Sequence, residues 1–144
     1  MKTNVMKALT LVMALVCVFA LTGCGAEEVD AEGLWADAVY LSDEEFGEGG
    51  KTVTVEVVVE EKRVVFTVHT DADTVGEALL EHELIDGDES TYGLYIKVVN
   101  GITADYDVNA SYWAFYVDGE YAMSGIDATE IDEAASYQLV YTKE

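Results

Sequence analysis

Proline is absent from these 144 residues, so the chain has no rigid Pro-rich spacer and no turn with a proline-fixed φ. Cysteine is nearly as scarce, with two in all, Cys17 and Cys24. Cations are few as well: 7 Lys and Arg stand against 29 Asp and Glu, a formal charge of −22. A chain of that sign repels polyphosphate at neutral pH, and nucleic-acid binding, which rests on Lys and Arg neutralising phosphates, is not expected. The length suits one ordinary domain plus a leader and excludes a two-domain enzyme. Catalytic signatures are missing too. The sequence has no Gly-x-Ser-x-Gly, no phosphate-cradling glycine loop and no His-Glu-x-x-His. Carboxylates abound, yet nothing singles out a catalytic pair, so the expectation is a protein that is not an enzyme and requires no cofactor. Apolar residues, in contrast, make up 51%, too many for an acidic disordered chain. A packed core is expected.

The start of the chain reads as an export signal. Lys2 and Lys7 give a positive start, and Ala8 to Ala20 is an uncharged apolar run of 13 residues, too short to span a bilayer comfortably as a helix. It ends at Leu21-Thr22-Gly23-Cys24, which resembles the lipobox of bacterial lipoproteins. The resemblance implies cleavage before Cys24 and lipid attachment to it. Residues 1–23 are then a signal peptide, 24–32 the lipidated cysteine with a small, acidic tether, and 33–144 the folded domain, on the extracytoplasmic face of a bacterial membrane. Each buried acyl methylene contributes about 0.8 kcal/mol and stable anchoring takes two signals, which two or three chains on one cysteine supply. Cleavage also removes Cys17, so no intramolecular disulfide remains and the fold must hold by packing. Only 5 basic residues then face the 29 acidic ones.

Periodicity places the elements. Leu34 to Leu41 is a candidate first edge strand and Asp43 to Gly50 a loop. Val53, Val55, Val57 and Val59 alternate with polar neighbours, and Val64, Phe66 and Val68 do so after a bend at Glu60 to Lys62, which predicts a hairpin with one apolar face and His69 solvated on the other. Thr74 and Glu77 stand at capping-box spacing. Val75, Ala78, Leu79 and His82 then share a helix face, with His82 in the last turn, where the dipole favours a cation. After an acidic loop at Asp86 to Glu89, Tyr92 to Val99 reads as a strand closed by an Asn100-Gly101 turn. A polar stretch from Thr103 to Ala110 precedes Tyr112 to Val117. Asp118-Gly119 then turns the chain toward Glu120 to Met123 as a hairpin, and Tyr137 to Thr142 is the last strand. The expected fold is α+β, one helix laid across a mixed sheet.

Two groups stand out chemically. Asp105, Asp107 and Asn109 match the first three ligand positions of a calcium loop, while Ala110 and Tyr116 replace its glycine and bidentate glutamate. An acidic, solvated connection explains the same spacing, so calcium is a candidate and no more. Nine Tyr and two Trp form the second group, because amphipathic aromatics on a rigid sheet favour recognition surfaces. Along Tyr112 to Val117, one face carries Trp113, Phe115 and Val117, assigned to the interior. Tyr112 and Tyr116, with Tyr95 and Tyr121, are left as a candidate patch. Cross-strand aromatic pairing that merely stabilises the sheet is the competing explanation.

The runs Tyr95 to Ile102, Tyr112 to Gly119 and Ser124-Gly125-Ile126-Asp127 resemble the C-terminal domain of transcobalamin and intrinsic factor. They resemble still more a family of bacterial surface lipoproteins that carries this domain alone. The resemblance covers about Gly33 to Thr142 and implies a β-grasp-like fold and a soluble, cobalamin-like ligand. The matching positions imply that Asn100, Gly101, Tyr112, Trp113, Ser124 and Gly125 face it. Nothing in the resemblance makes His69 or His82 a cobalt ligand. The expected function is a lipid-anchored binding module without catalysis; the alternative is a structural or adhesive component of a surface assembly that docks a second protein.

Overall fold

The computed structural model describes residues 28–144; the leader, the lipobox and Cys24 lie outside the described residues. The fold is a mixed α+β arrangement of two sheets rather than the single sheet expected. The larger sheet has six strands in the order β1 (Glu44–Phe46), β3 (Lys62–Thr70), β2 (Lys51–Val59), β9 (Tyr137–Lys143), β7 (Ser111–Val117), β8 (Glu120–Tyr121), and the smaller has three in the order β4 (Ile85–Ser90), β5 (Gly93–Val99), β6 (Ile102–Thr103).

The strongest sequence pattern builds the larger sheet. In β2 (Lys51–Val59) and β3 (Lys62–Thr70) every second side chain is buried, and Val55, Val57, Val59, Val64 and Val68 are each 0% exposed. β-Branched side chains suit a pleated surface, and the antiparallel register sets Val55 opposite Phe66 and Val57 opposite Val64. Glu60, with φ of 58°, makes the tight bend. The last strand, β9 (Tyr137–Lys143), runs parallel to β2 on one edge and antiparallel to β7 (Ser111–Val117) on the other. Leu139 at its centre is fully buried, so β9 joins the two halves of the sheet.

Helix α1 (Val75–Leu80) begins at Thr74, and both bonds of the predicted capping box form: the Glu77 amide donates to Thr74 Oγ1 at 3.2 Å and the Thr74 amide to Glu77 Oε2 at 3.4 Å. Val75, Ala78 and Leu79 are buried. At Gly76 a Cβ would lie 2.8 Å from the Cα of Asp127, so a glycine lets the helix rest on the one-turn helix Ile126–Ala128. His82 falls beyond the helix end and packs against Phe46, ring centroids 5.6 Å apart.

Several expectations are corrected. Gly33–Asp37 is a short 3-10 helix, not a strand; Trp35 is buried, its Nε1 donating to the Val59 carbonyl at 3.3 Å, and the adjacent Leu34 packs half-buried against the core. The segment read as a loop contains β1 (Glu44–Phe46), parallel to β3. The acidic Asp86 to Glu89 stretch is not a loop either; it belongs to β4 (Ile85–Ser90), an exposed edge strand paired with β5 (Gly93–Val99) through a bulge at Asp86-Gly87. The polar stretch after Asn100-Gly101 contains β6 (Ile102–Thr103) and the four-residue helix α2 (Tyr106–Asn109). β8 spans only Glu120–Tyr121. The tether is shorter than expected, since Val29 is buried in the core and its amide donates to the Leu41 carbonyl at 2.6 Å.

Candidate functional site

A groove of about 280 Å3 runs between β5 and β7 and is closed at one end by the segment Ala122 to Ile126. One wall is Tyr92, Leu94, Tyr95 and Ile96; the other is Tyr112, Trp113 and Phe115, with Tyr121 and Met123 on the rim. The Asp118-Gly119 turn, with φ of 50° and 81°, folds β8 back so that Tyr121 stands opposite Tyr116, their rings 5.7 Å apart edge to face. Trp113 is fixed by its Nε1, which donates to the Ile102 carbonyl at 3.2 Å. At Gly125 a Cβ would sit 2.8 Å from Asp127 Oδ1, so a side chain there would displace the Asp127 carboxylate.

In a chain with 25% charged residues, no charged side chain lines this groove. Its polar side chains are the phenols of Tyr92, Tyr95, Tyr112 and Tyr121 with Trp113 and Ser124. Outside it, the Tyr106 hydroxyl donates to Glu144 Oε2 at 2.8 Å, and this bond to a carboxylate raises its pKa above the ordinary tyrosine value. Partial desolvation, then the Glu144 charge, raises that of Tyr112 as well. Both phenols are therefore neutral at physiological pH, and the walls offer stacking faces with hydroxyl donors. On β5, Lys97 is held by Asp88 at 2.6 Å, whose bond and charge raise the Lys97 pKa.

A larger hollow of about 760 Å3 lies between Glu28 to Asp30 and the β2–β3 bend. Its lining is mostly charged, including Glu28, Asp30, Asp43, Glu61, Lys62 and Arg63, with Lys62 and Asp30 3.8 Å apart. Solvated, mutually paired charges make it a weaker ligand site than the uncharged groove.

The residues singled out in the sequence divide cleanly. Tyr112, Trp113, Ser124 and Gly125 come together in the groove with Tyr95 and Tyr121. Tyr116 stands just outside it, paired with Tyr121. Asn100 and Gly101 do not reach it. Asn100 is 1% exposed, and its side chain is spent on Tyr40, accepting from the amide at 2.9 Å and donating to the carbonyl at 2.8 Å. Asp105, Asp107 and Asn109 do not make a calcium loop. Asp105 caps α2 by accepting the Asp107 amide at 3.0 Å, and Asn109 bonds Ser111 and Tyr141. Asp107 lies about 200° around the turn from its neighbours in the triplet, so the three do not form one alternating loop of ligands. Among the described residues no cluster of three or more His, Cys, Asp and Glu is placed to hold a metal ion. His69 is not simply solvated: it is bonded to Glu45 on β1 and to Thr52 on β2. Sequence reasoning missed Tyr92 and Met123, which are 93% and 100% exposed. A large apolar residue at a turn, here between Ser90 and Gly93 or beside Ser124-Gly125, was the available signal.

Residues 72–142 match a family model described as a domain of unknown function, DUF4430. A crystal structure of a "putative metal binding protein" from Ruminococcus gnavus shares 31% identity with a TM-score of 0.62, covering 66% of this chain and 99% of that one. Haptocorrin in complex with Cbi shares 16% identity with a TM-score of 0.52, covering 68% of this chain and 26% of haptocorrin, a likeness of fold alone. No curated protein matches.

Proposed function

The chain belongs to the same family as the Ruminococcus gnavus protein, and on that premise we propose that it is a non-catalytic binding module, held by lipid on Cys24 at the extracytoplasmic face of a bacterial membrane, that takes a soluble ligand in the groove between β5 and β7. The observation that carries this reading is the groove itself: an uncharged, tyrosine-walled cleft in a domain whose surface is otherwise acidic. Apolar clefts with a few convergent polar groups are where ligands are held. The mixed sheet is β-grasp-like in this reading, and the fold shared with haptocorrin makes a corrinoid the first ligand to test. A metal is a weaker choice, although the Ruminococcus gnavus protein is described as metal binding. Asp105 is engaged as the cap of α2 and Asn109 with Ser111 and Tyr141, so calcium would act here by screening.

Calorimetry of the purified protein against cobalamin and cobinamide tests the corrinoid form. Binding that weakens by about tenfold or more in a Tyr95→Ala, Tyr121→Ala double variant, a loss of roughly 1.4 kcal/mol, is the expected result. Silence with both ligands removes the corrinoid form. The exposure of Tyr92 and Met123 beside the groove favours a second reading, docking of a surface protein. An unchanged set of captured proteins with a Tyr112→Ala, Tyr116→Ala variant would count against it.

A further inference from the structure

We propose that the groove between β5 and β7 binds a small, soluble organic cation of the quaternary-ammonium kind, held against its tyrosines. The inference rests on the groove being the binding site and names the class of its occupant.

Charge narrows the class first. Four of the five Lys and Arg among the described residues are already paired: Lys51 lies 3.2 Å from Asp73, Lys62 3.8 Å from Asp30, Arg63 3.4 Å from Glu56 and Lys97 2.6 Å from Asp88. None of the five, Lys143 included, lines the groove. An anionic ligand would therefore approach a chain of net charge −22 and find no cation at the site to meet it. A carboxylate or phosphate is disfavoured as the group recognised. A cation meets the opposite field.

The walls select among cations. Tyr92, Tyr95 and Tyr121 are 93%, 42% and 60% exposed at the rim, over a packed floor of Trp113 and Phe115. Aromatic faces attract an ammonium ion through the negative face of the ring quadrupole, and most strongly where the ion has shed its water. An alkylated ammonium gives up little water on entering and buries its methyl groups against the apolar floor. A compact primary ammonium is strongly hydrated and keeps its shell.

A carboxylate stands beside the closed end. Asp127 Oδ1 lies 2.6 Å from where a Cβ would sit at Gly93 and 2.8 Å from where one would sit at Gly125. The acid thus fills the space that two glycines, from separate loops, leave open. Among the described residues no Lys, Arg or His stands within 4.0 Å of it. At the other end the Glu144 charge bears on the Tyr112 phenol. Tyrosine walls between two carboxylates complement a positive ion. Size agrees: at about 280 Å3 the groove falls below the roughly 300 to 1,000 Å3 that holds a drug-sized molecule, and a small ion fits it.

The test is titration of the 15N-labelled protein with choline and with benzyltrimethylammonium. Controls are the neutral alcohol of choline's shape, in which carbon replaces nitrogen, and the tert-butylacetate anion. The expected result is that both cations shift the amide resonances of Tyr95, Tyr121 and Gly125 together and saturably. The alcohol should bind at least about fivefold more weakly and the anion not at all. A Tyr95→Leu, Tyr121→Leu variant keeps the groove apolar and should weaken the cations at least about fivefold while leaving the alcohol unchanged; Asp127→Asn should weaken them about two- to threefold. Silence with both cations, equal binding of the alcohol, undiminished binding by either variant, or shifts spread over the carboxylates of β4 and the charged hollow would each overturn the proposal. Cobinamide that binds the groove while the cations stay silent would sink the organic cation and leave the binding module standing. Silence of all would remove both.

Discussion

The β2–β3 hairpin and the β5–β7 groove use similar residues to opposite ends. In the hairpin, Val53 to Val59 and Val64 to Val68 put every apolar side chain of one face at 0 or 1% exposure, and the charges stay on the other face. At the groove, Tyr92, Tyr95, Tyr121 and Met123 remain between 42% and 100% exposed although a core lies beneath them. The first region spends its apolar surface on stability, so little is left to recognise anything. The second keeps apolar surface wet, which a fold retains at no benefit to itself.

Substitutions can break that contrast. Val57→Asp places an unpaired carboxylate between β3 and β9 and should cost more than about 4 kcal/mol, abolishing the folded circular-dichroism signal. Asn100→Ala comes next. It strips both bonds from the buried Tyr40 backbone and leaves a non-glycine, non-asparagine residue at φ of 52°; urea unfolding should show a loss of about 2–4 kcal/mol with any groove binding unchanged per folded molecule. Tyr121→Ala should do the reverse, costing less than about 1 kcal/mol in stability because its ring is 60% exposed while binding in the groove weakens. The smallest effect is on pH. The raised pKa values of Tyr106 and Tyr112 mean that the folded state holds these protons more tightly. Their contribution is therefore intact at neutral pH and is lost only as pH rises past the ordinary tyrosine value of about 10. Ultraviolet titration should show late-ionising tyrosines, one fewer in Tyr106→Phe.

Legibility followed the same divide. Alternating valines, the Thr74–Glu77 box and the Asp118-Gly119 turn each state a local rule that tertiary packing had no reason to override, and all three stand in the structure. Half of the groove was readable as well, since Tyr112, Trp113, Ser124 and Gly125 meet there. Where side chains lack a period, the sequence misled. The adjacent Leu34 and Trp35 pack inward from Gly33–Asp37, and Ile85–Ser90 is acidic because it is an edge, not because it is a loop. The resemblance alone makes Asn100 a ligand contact; its pairing with Tyr40, 60 residues away, which no local pattern announces, spends its side chain elsewhere. The Asp105–Asn109 spacing matches only the first three positions of a calcium loop, and the backbone coils Tyr106–Asn109 into a short helix capped by Asp105.

Titration of the 15N-labelled protein with cobinamide tests most directly that recognition is confined to the β5–β7 groove and spares the packed hairpin. The resonances of Tyr95, Trp113, Tyr121 and Gly125, which line the groove, should shift together while those of Val53 to Val59 stay in place. Shifts confined to the hairpin or to the charged hollow, or no shift at all, would contradict the account.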